Sequence, residues 1–126
     1  MAPKKRKVVR RPRVLHKSCV DGMKSMRDTS VDLVIADPPY GIGIASWDGA
    51  DGYTGFAKTW LMEAVRILQP GGTLLFFSSP STIWSSRMNV FLEDELKMKH
   101  EQSLTWIYAQ GNLTPVHSHH TLTKLH

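Results

Sequence analysis

A chain of 126 residues, 41% apolar and 21% charged, has room for one domain and can bury about two thirds of the surface its unfolded form exposes. It holds no apolar run of transmembrane length and no secretory h-region, and its lone Cys19 excludes an internally disulfide-stapled module and fits a reducing compartment. The formal charge of +5 belongs to one end: Lys4, Lys5, Arg6, Lys7, Arg10, Arg11 and Arg13 are seven of the sixteen basic residues, and the rest of the chain carries nine against eleven acidic residues, a net of −2.

Residues 1–13 therefore read as a basic arm. Pro3-Lys4-Lys5-Arg6-Lys7-Val8 has the clustered cations of a nuclear localisation signal, native or appended, with a nuclear import receptor as expected partner and the nucleus as expected location. The same cations can add salt-sensitive contacts to DNA phosphates. Arg13-Val14-Leu15-His16 reads as a short strand, Ser18-Cys19 follows it, and residues 21–26 make a helical turn or two. Residues 31–36 are nearly continuously apolar, which predicts a strand covered on both faces of a parallel sheet. That strand runs into Asp37-Pro38-Pro39-Tyr40, and then into a loop with Gly41, Gly43, Gly49, Gly52 and Gly55 that also holds Trp47 and Asp48.

From Phe56 the apolar positions Ala57, Trp60, Leu61, Ala64, Val65 and Leu68 recur with the i, i+3, i+4 spacing of a helix burying one stripe. Pro70-Gly71-Gly72 should stop that helix. A strand over 73–77, a helix over 82–96 capped by Ser81 or Thr82, and a strand over 103–108 follow. Strands alternating with helices predict a three-layer α/β sheet. Residues 112–126 show no period and read as a poorly ordered tail; their four histidines, His117, His119, His120 and His126, have no cysteine partners, and no metal site is expected.

The junction at Asp37 carries the chemistry. Open α/β sheets bind ligands at the carboxyl ends of their strands. A proline has a fixed φ and no N–H, and the residue before a proline is pushed to extended backbone, so this turn is stiff and its carbonyls face outward as acceptors. Such a site suits a planar heterocycle with an exocyclic amine. The amine lone pair is delocalised into the ring, and attack on an electrophilic methyl group needs both N–H bonds held by acceptors that favour a pyramidal nitrogen. The Asp37 carboxylate and the Pro38 carbonyl are the acceptors on offer, and Tyr40 offers a face on which a base can stack. A base inside a duplex reaches such a pocket only when flipped out.

This constellation resembles the Asp-Pro-Pro-Tyr motif of amino-methyltransferases acting on adenine N6 or cytosine N4 in DNA, and the likeness extends over residues 14–111. The resemblance implies a Rossmann-like methyltransferase sheet, S-adenosylmethionine as cofactor and DNA as substrate. It assigns catalysis to Asp37, Pro38, Pro39 and Tyr40, contacts to the cofactor to Ser18, Cys19, Asp37 and Pro38, and contacts to the base to Tyr40, Gly41 and Trp47. Ser18 stands where the family often has an acid. The family also needs a glycine-rich Phe-x-Gly-x-Gly loop, and none occurs in these 126 residues. Only 36 residues precede Asp37, an order matching the permuted group, in which the catalytic motif comes first. The chain is thus expected to supply the catalytic half of an incomplete sheet, with a complementing chain or second subunit as partner and adenine N6 as target. Cytosine-N4 methylation, a non-catalytic nuclear DNA-binding subunit and a truncated inactive product are the alternatives.

Overall fold

The computed structural model describes residues 11–41, 53–79, 83–109 and 117–125. Lys4–Arg10 of the basic arm, Trp47 with most of the glycine loop, and His126 lie outside them. Helix α1 (Cys19–Lys24) leads to strand β1 (Val31–Ala36), which forms where the apolar, β-branched run predicts it. Helix α2 (Tyr53–Ile67) and strand β2 (Leu68–Ser78) follow, then helix α3 (Ile83–Asp94) and strands β3 (His100–Ala109) and β4 (His117–Leu125). The sheet has the order β1-β2-β4-β3, with β1 parallel to β2 and β4 antiparallel to both its neighbours.

The core lies on one face of this sheet. Ala57, Trp60, Leu61 and Ala64 of α2, Met88, Phe91 and Leu92 of α3, and Leu74 and Phe76 of β2 form one buried cluster, with Val20 and Met23 of α1 packed against it. Full burial of a side chain such as Leu61 or Phe76 is worth about 1.5–3 kcal/mol. Trp60 meets Phe76 edge to face at 6.1 Å, a preferred aromatic geometry. The described residues thus build two of the three expected layers. Leu33 and Ile35 of β1 are exposed, so that strand is covered on one face and not on two.

Four further expectations need correction. Residues 13–16 form no strand, because an extended segment is stable only where its backbone groups find partners and no described strand pairs with them. The first helix starts two residues earlier than expected, at Cys19, and ends where the Ser25 hydroxyl donates to the Gly22 carbonyl at 2.7 Å. Pro70-Gly71-Gly72 do not separate α2 from the next strand; β2 begins at Leu68 and carries them within it. There the register jumps, Val31 pairing with Leu68 but Leu33 with Thr73, and Gly71 takes φ +77°, an irregularity that accommodates a proline. Finally, residues 117–125 are not an unstructured tail but β4, held by antiparallel pairing with both β2 and β3. Pairing on both sides satisfies the backbone whatever the side-chain period, so tertiary context overrides a weak local signal.

Candidate functional site

Asp37 stands immediately past β1, at the carboxyl end of two parallel strands, since Ala36 pairs with Phe76. Asp37 is exposed, Pro38, Pro39 and Tyr40 are half-buried, and Gly41 is buried. Gly41 has φ +69°, a left-handed conformation that glycine adopts without Cβ strain.

Within this turn the Tyr40 hydroxyl donates to Asp37 Oδ1 at 2.6 Å, the short distance of a bond to a carboxylate. The bond closes the turn from residue i to residue i+3 and fixes both side chains: the carboxylate plane is oriented and the phenol ring is anchored at its far end. Among the described residues, Asp37 has no second partner, which leaves Oδ2 for a donor from outside. The sequence points to Tyr40 as a catalytic-motif residue with a stacking face but not to this bond. The i, i+3 spacing of Asp and Tyr across two stiff prolines was the available signal.

Next to the turn, the carboxyl end of β2 is polar and buried at Ser78 and Ser79. Ser78 donates to the Ser85 hydroxyl at 3.0 Å, which ties this end of the sheet to the first turn of α3.

The opposite end of β1 is built differently. Arg66, in the last turn of α2, donates to the Met23 carbonyl at 2.7 Å and the Met26 carbonyl at 3.0 Å and pairs with Glu63 and Asp28. Hydrogen bonds to Glu63 and then to Asp28 raise the pKa of its guanidinium. Thr29 and Ser30 donate their amides to the Arg66 and Ile67 carbonyls at 3.0 and 2.7 Å. These bonds place the C-terminal end of α1 beside the amino end of β1. Ser18 and Cys19 sit at the other end of α1, both exposed, and no described hydrogen bond brings them to Asp37. Ser18 makes no side-chain cap.

A cofactor cradle needs glycine backbone open to a ligand. Gly72 does not offer one, because a Cβ there would lie 2.8 Å from the Gln69 carbonyl oxygen and 3.2 Å from that of Asp32; its backbone is packed against protein. At Gly55 and Gly71 an added Cβ would meet nothing within 4 Å. A cavity of about 440 Å³ between α2 and α3 is lined by Ala57, Lys58, Leu61, Trp84, Arg87 and Phe91 among others, and none of the candidate site residues lines it.

Comparison with known proteins agrees with this geometry. The DNA methylase family model for N6 and N4 methyltransferases matches residues 31–124, a stretch running from β1 into β4. M.HpaI, a type II methyltransferase of Haemophilus parainfluenzae, is 33% identical over 104 residues, which are 79% of this chain and 32% of that protein. The chain thus spans about a third of that relative's length. Among solved structures, TTHA0409 of Thermus thermophilus, assigned as a DNA modification methylase and crystallised with S-adenosyl-L-methionine, superposes with TM-score 0.63 at 16% identity, over 85% of this chain and 52% of that one. The cytosine-N4-specific PvuII DNA methyltransferase superposes with TM-score 0.61 at 15% identity, over 86% and 46%. These two likenesses concern the fold, a Rossmann-like methyltransferase sheet. With a family match over most of its length and the Asp37-Pro38-Pro39-Tyr40 turn at the carboxyl end of β1, the chain belongs to the N6/N4 DNA methylase family.

Proposed function

We propose that this chain supplies the target-base half of an S-adenosylmethionine-dependent DNA methyltransferase that acts on the N6 amine of a flipped-out adenine. The observation that carries the reading is the Asp37 carboxylate held by the Tyr40 hydroxyl at 2.6 Å, with Oδ2 left for a donor. In this reading Asp37 Oδ2 and the Pro38 carbonyl accept the two N–H bonds of the amine, and the Tyr40 ring stacks on the base. Gly41 and Trp47 border the base, and Ser18 and Cys19 contribute to the cofactor side. When bound, S-adenosylmethionine supplies the electrophilic methyl group. The acceptors act on the reacting nitrogen alone, so their effect falls on turnover more than on affinity.

Support for adenine comes from Asp at the first position of the motif. The likeness to the cytosine-N4-specific PvuII enzyme favours cytosine N4 as the second reading, since that amine meets the same acceptors. The test is M.HpaI carrying this chain in place of its matched stretch of 104 residues, supplied with methyl-labelled cofactor and duplex DNA. Nucleoside analysis should recover N6-methyladenine; label found only in N4-methylcytosine overturns the adenine assignment. The basic arm, read as a nuclear address bound by an import receptor, is tested separately by a fluorescent fusion, whose nuclear accumulation should disappear when Lys5 and Arg6 become alanine.

A further inference from the structure

Helices α2 and α3 leave between them a cavity of about 440 Å³, within the range of about 300–1,000 Å³ that ligand sites occupy. Both walls are consecutive helices inside the stretch that the family model matches. The floor is made of buried Ala57, Leu61, Met88 and Phe91, and Ala57 contributes only a methyl group, so depth remains where a longer side chain would fill it. Ile83 and Val90 also line the cavity and are 60% and 57% exposed, apolar side chains left in water at its mouth.

The charges at the mouth are not balanced. Lys58 Nζ lies 4.8 Å from the centre of the Phe91 ring and 3.5 Å from Glu95 Oε1, so Lys58 offsets Glu95. Asp94 has the Lys97 ammonium beside it, donating to its main-chain carbonyl at 2.6 Å. The Arg87 guanidinium lies 4.7 Å from the centre of the Trp84 ring and forms no ion pair with a carboxylate among the described residues. Three cations thus stand against two carboxylates, and the unmatched one is a guanidinium at the edge of an apolar cavity. Its forked N–H groups fit the two oxygens of a carboxylate.

The lining also distinguishes alkyl from aromatic ligands. One face of each ring, Trp84 and Phe91, already carries a cation, whereas Leu61 and the pliable Met88 thioether offer aliphatic contact that adapts to a flexible chain. From Ile83 to Asp94, both of which line the cavity, α3 runs for about 16 Å at about 1.5 Å per residue, room for an extended chain of about ten carbons. We propose that this cavity binds a free, medium-length straight-chain carboxylic acid, its tail over Leu61, Met88 and Phe91 and its carboxylate on Arg87. No candidate residue of the base site lines the cavity, so the inference stands apart from the base chemistry and its readout is ligand binding, not methyl transfer.

Chain 1–126 is titrated calorimetrically with sodium decanoate, and with 1-decanol and decyltrimethylammonium as its uncharged and cationic counterparts. Decanoate should saturate a single site and bind about tenfold more tightly than decanol, with the ammonium weakest of the three. Each methylene removed from the acid should weaken binding roughly fourfold. Arg87→Gln should bring decanoate to the level of decanol and leave decanol unchanged. Ala57→Leu fills the floor and Val90→Asp places a charge on the wall; each should weaken decanoate about tenfold or more. Val90 is exposed and its variant keeps the fold, so it decides the matter if Ala57→Leu unfolds the chain. Met62→Asp, on an exposed part of α2 that does not line the cavity, should change nothing. Absence of saturable binding, or many acids bound per chain, overturns the proposal. So does equal affinity for the three head groups, or a decanoate affinity that survives Arg87→Gln. Tightest binding of the ammonium would give the mouth to Asp94 and Glu95, and indifference to Val90→Asp would place the ligand elsewhere; both outcomes reject the assignment.

Discussion

The two ends of β1 are secured by different kinds of contact. At the amino end Arg66 reaches two carbonyls and two carboxylates, Thr29 and Ser30 donate to the end of α2, and Gly72 is packed against the Asp32 carbonyl. At the carboxyl end one hydrogen bond from Tyr40 holds an exposed Asp37. A strand immobilised at one end can present, at the other, groups whose partners are exchangeable, and a base-binding site requires that exchange. Rigid support beneath a site is the arrangement by which scaffolds keep reacting groups positioned.

The contrast breaks most visibly at Asp37. In the M.HpaI graft, Asp37→Ala should lower kcat on the order of 10²–10³-fold, the range seen when one preorganised polar group at a reacting centre is removed, with duplex affinity and thermal stability nearly unchanged. Activity within a few-fold of the parent would remove Asp37 from the chemistry. At the amino end the opposite split is expected. Gly72→Ala places a methyl against backbone oxygens and should cost about 1–3 kcal/mol of stability in denaturant unfolding, while kcat of the fraction that remains folded is preserved. A selective fall in kcat would show that the two ends are coupled.

Tyr40 sharpens the contrast within the carboxyl end. Tyr40→Phe keeps the ring and removes the bond to Asp37, a charge-assisted bond worth at most roughly 1.5–3 kcal/mol; screened by solvent at this exposed site, its loss should lower kcat by about tenfold and spare KM. Tyr40→Ala should in addition weaken base binding by about 1–3 kcal/mol, read from the emission of a fluorescent base at the target position. If Phe matches the parent, the hydroxyl has no positioning role and stacking alone remains. The smallest effect belongs to the arm. Deleting residues 1–13 should flatten the salt dependence of DNA affinity by about 0.9 for each phosphate that the arm no longer neutralises, with methyl transfer at low salt little altered. An unchanged slope would locate the DNA-binding charge on the folded body.

Legibility in the sequence followed how local each signal is. β1 and α2 rest on continuous or helically spaced apolar side chains, and both were readable from residues 31–36 and from Phe56 onward. The turn at Asp37 was readable because two prolines restrict its backbone whatever surrounds it. β4 was not, since His117-Ser118-His119-His120 carry no apolar alternation and the strand exists through pairing with two distant strands. The early start of β2 was hidden for a related reason: Pro70 signals a break, and only the register jump opposite β1 shows how a strand contains it. The Tyr40–Asp37 bond depends on a rotamer, which sequence spacing permits but does not dictate.

The position of β4 has a consequence for biosynthesis. It is last in sequence among the described strands yet lies between β2 and β3, so a ribosome that has released residues only as far as Ala109 holds a β1-β2 pair and a β3 with no strand to join them. Helices α1 to α3 can assemble on β2 during synthesis, but the sheet closes late and through pairings of long sequence separation, which slow folding. Until then β2 and β3 present open edges to other nascent chains. An arrest-peptide force profile should show its main folding transition only once Leu125 has cleared the exit tunnel, making the closing step of this fold the stage at which chaperones have most to protect.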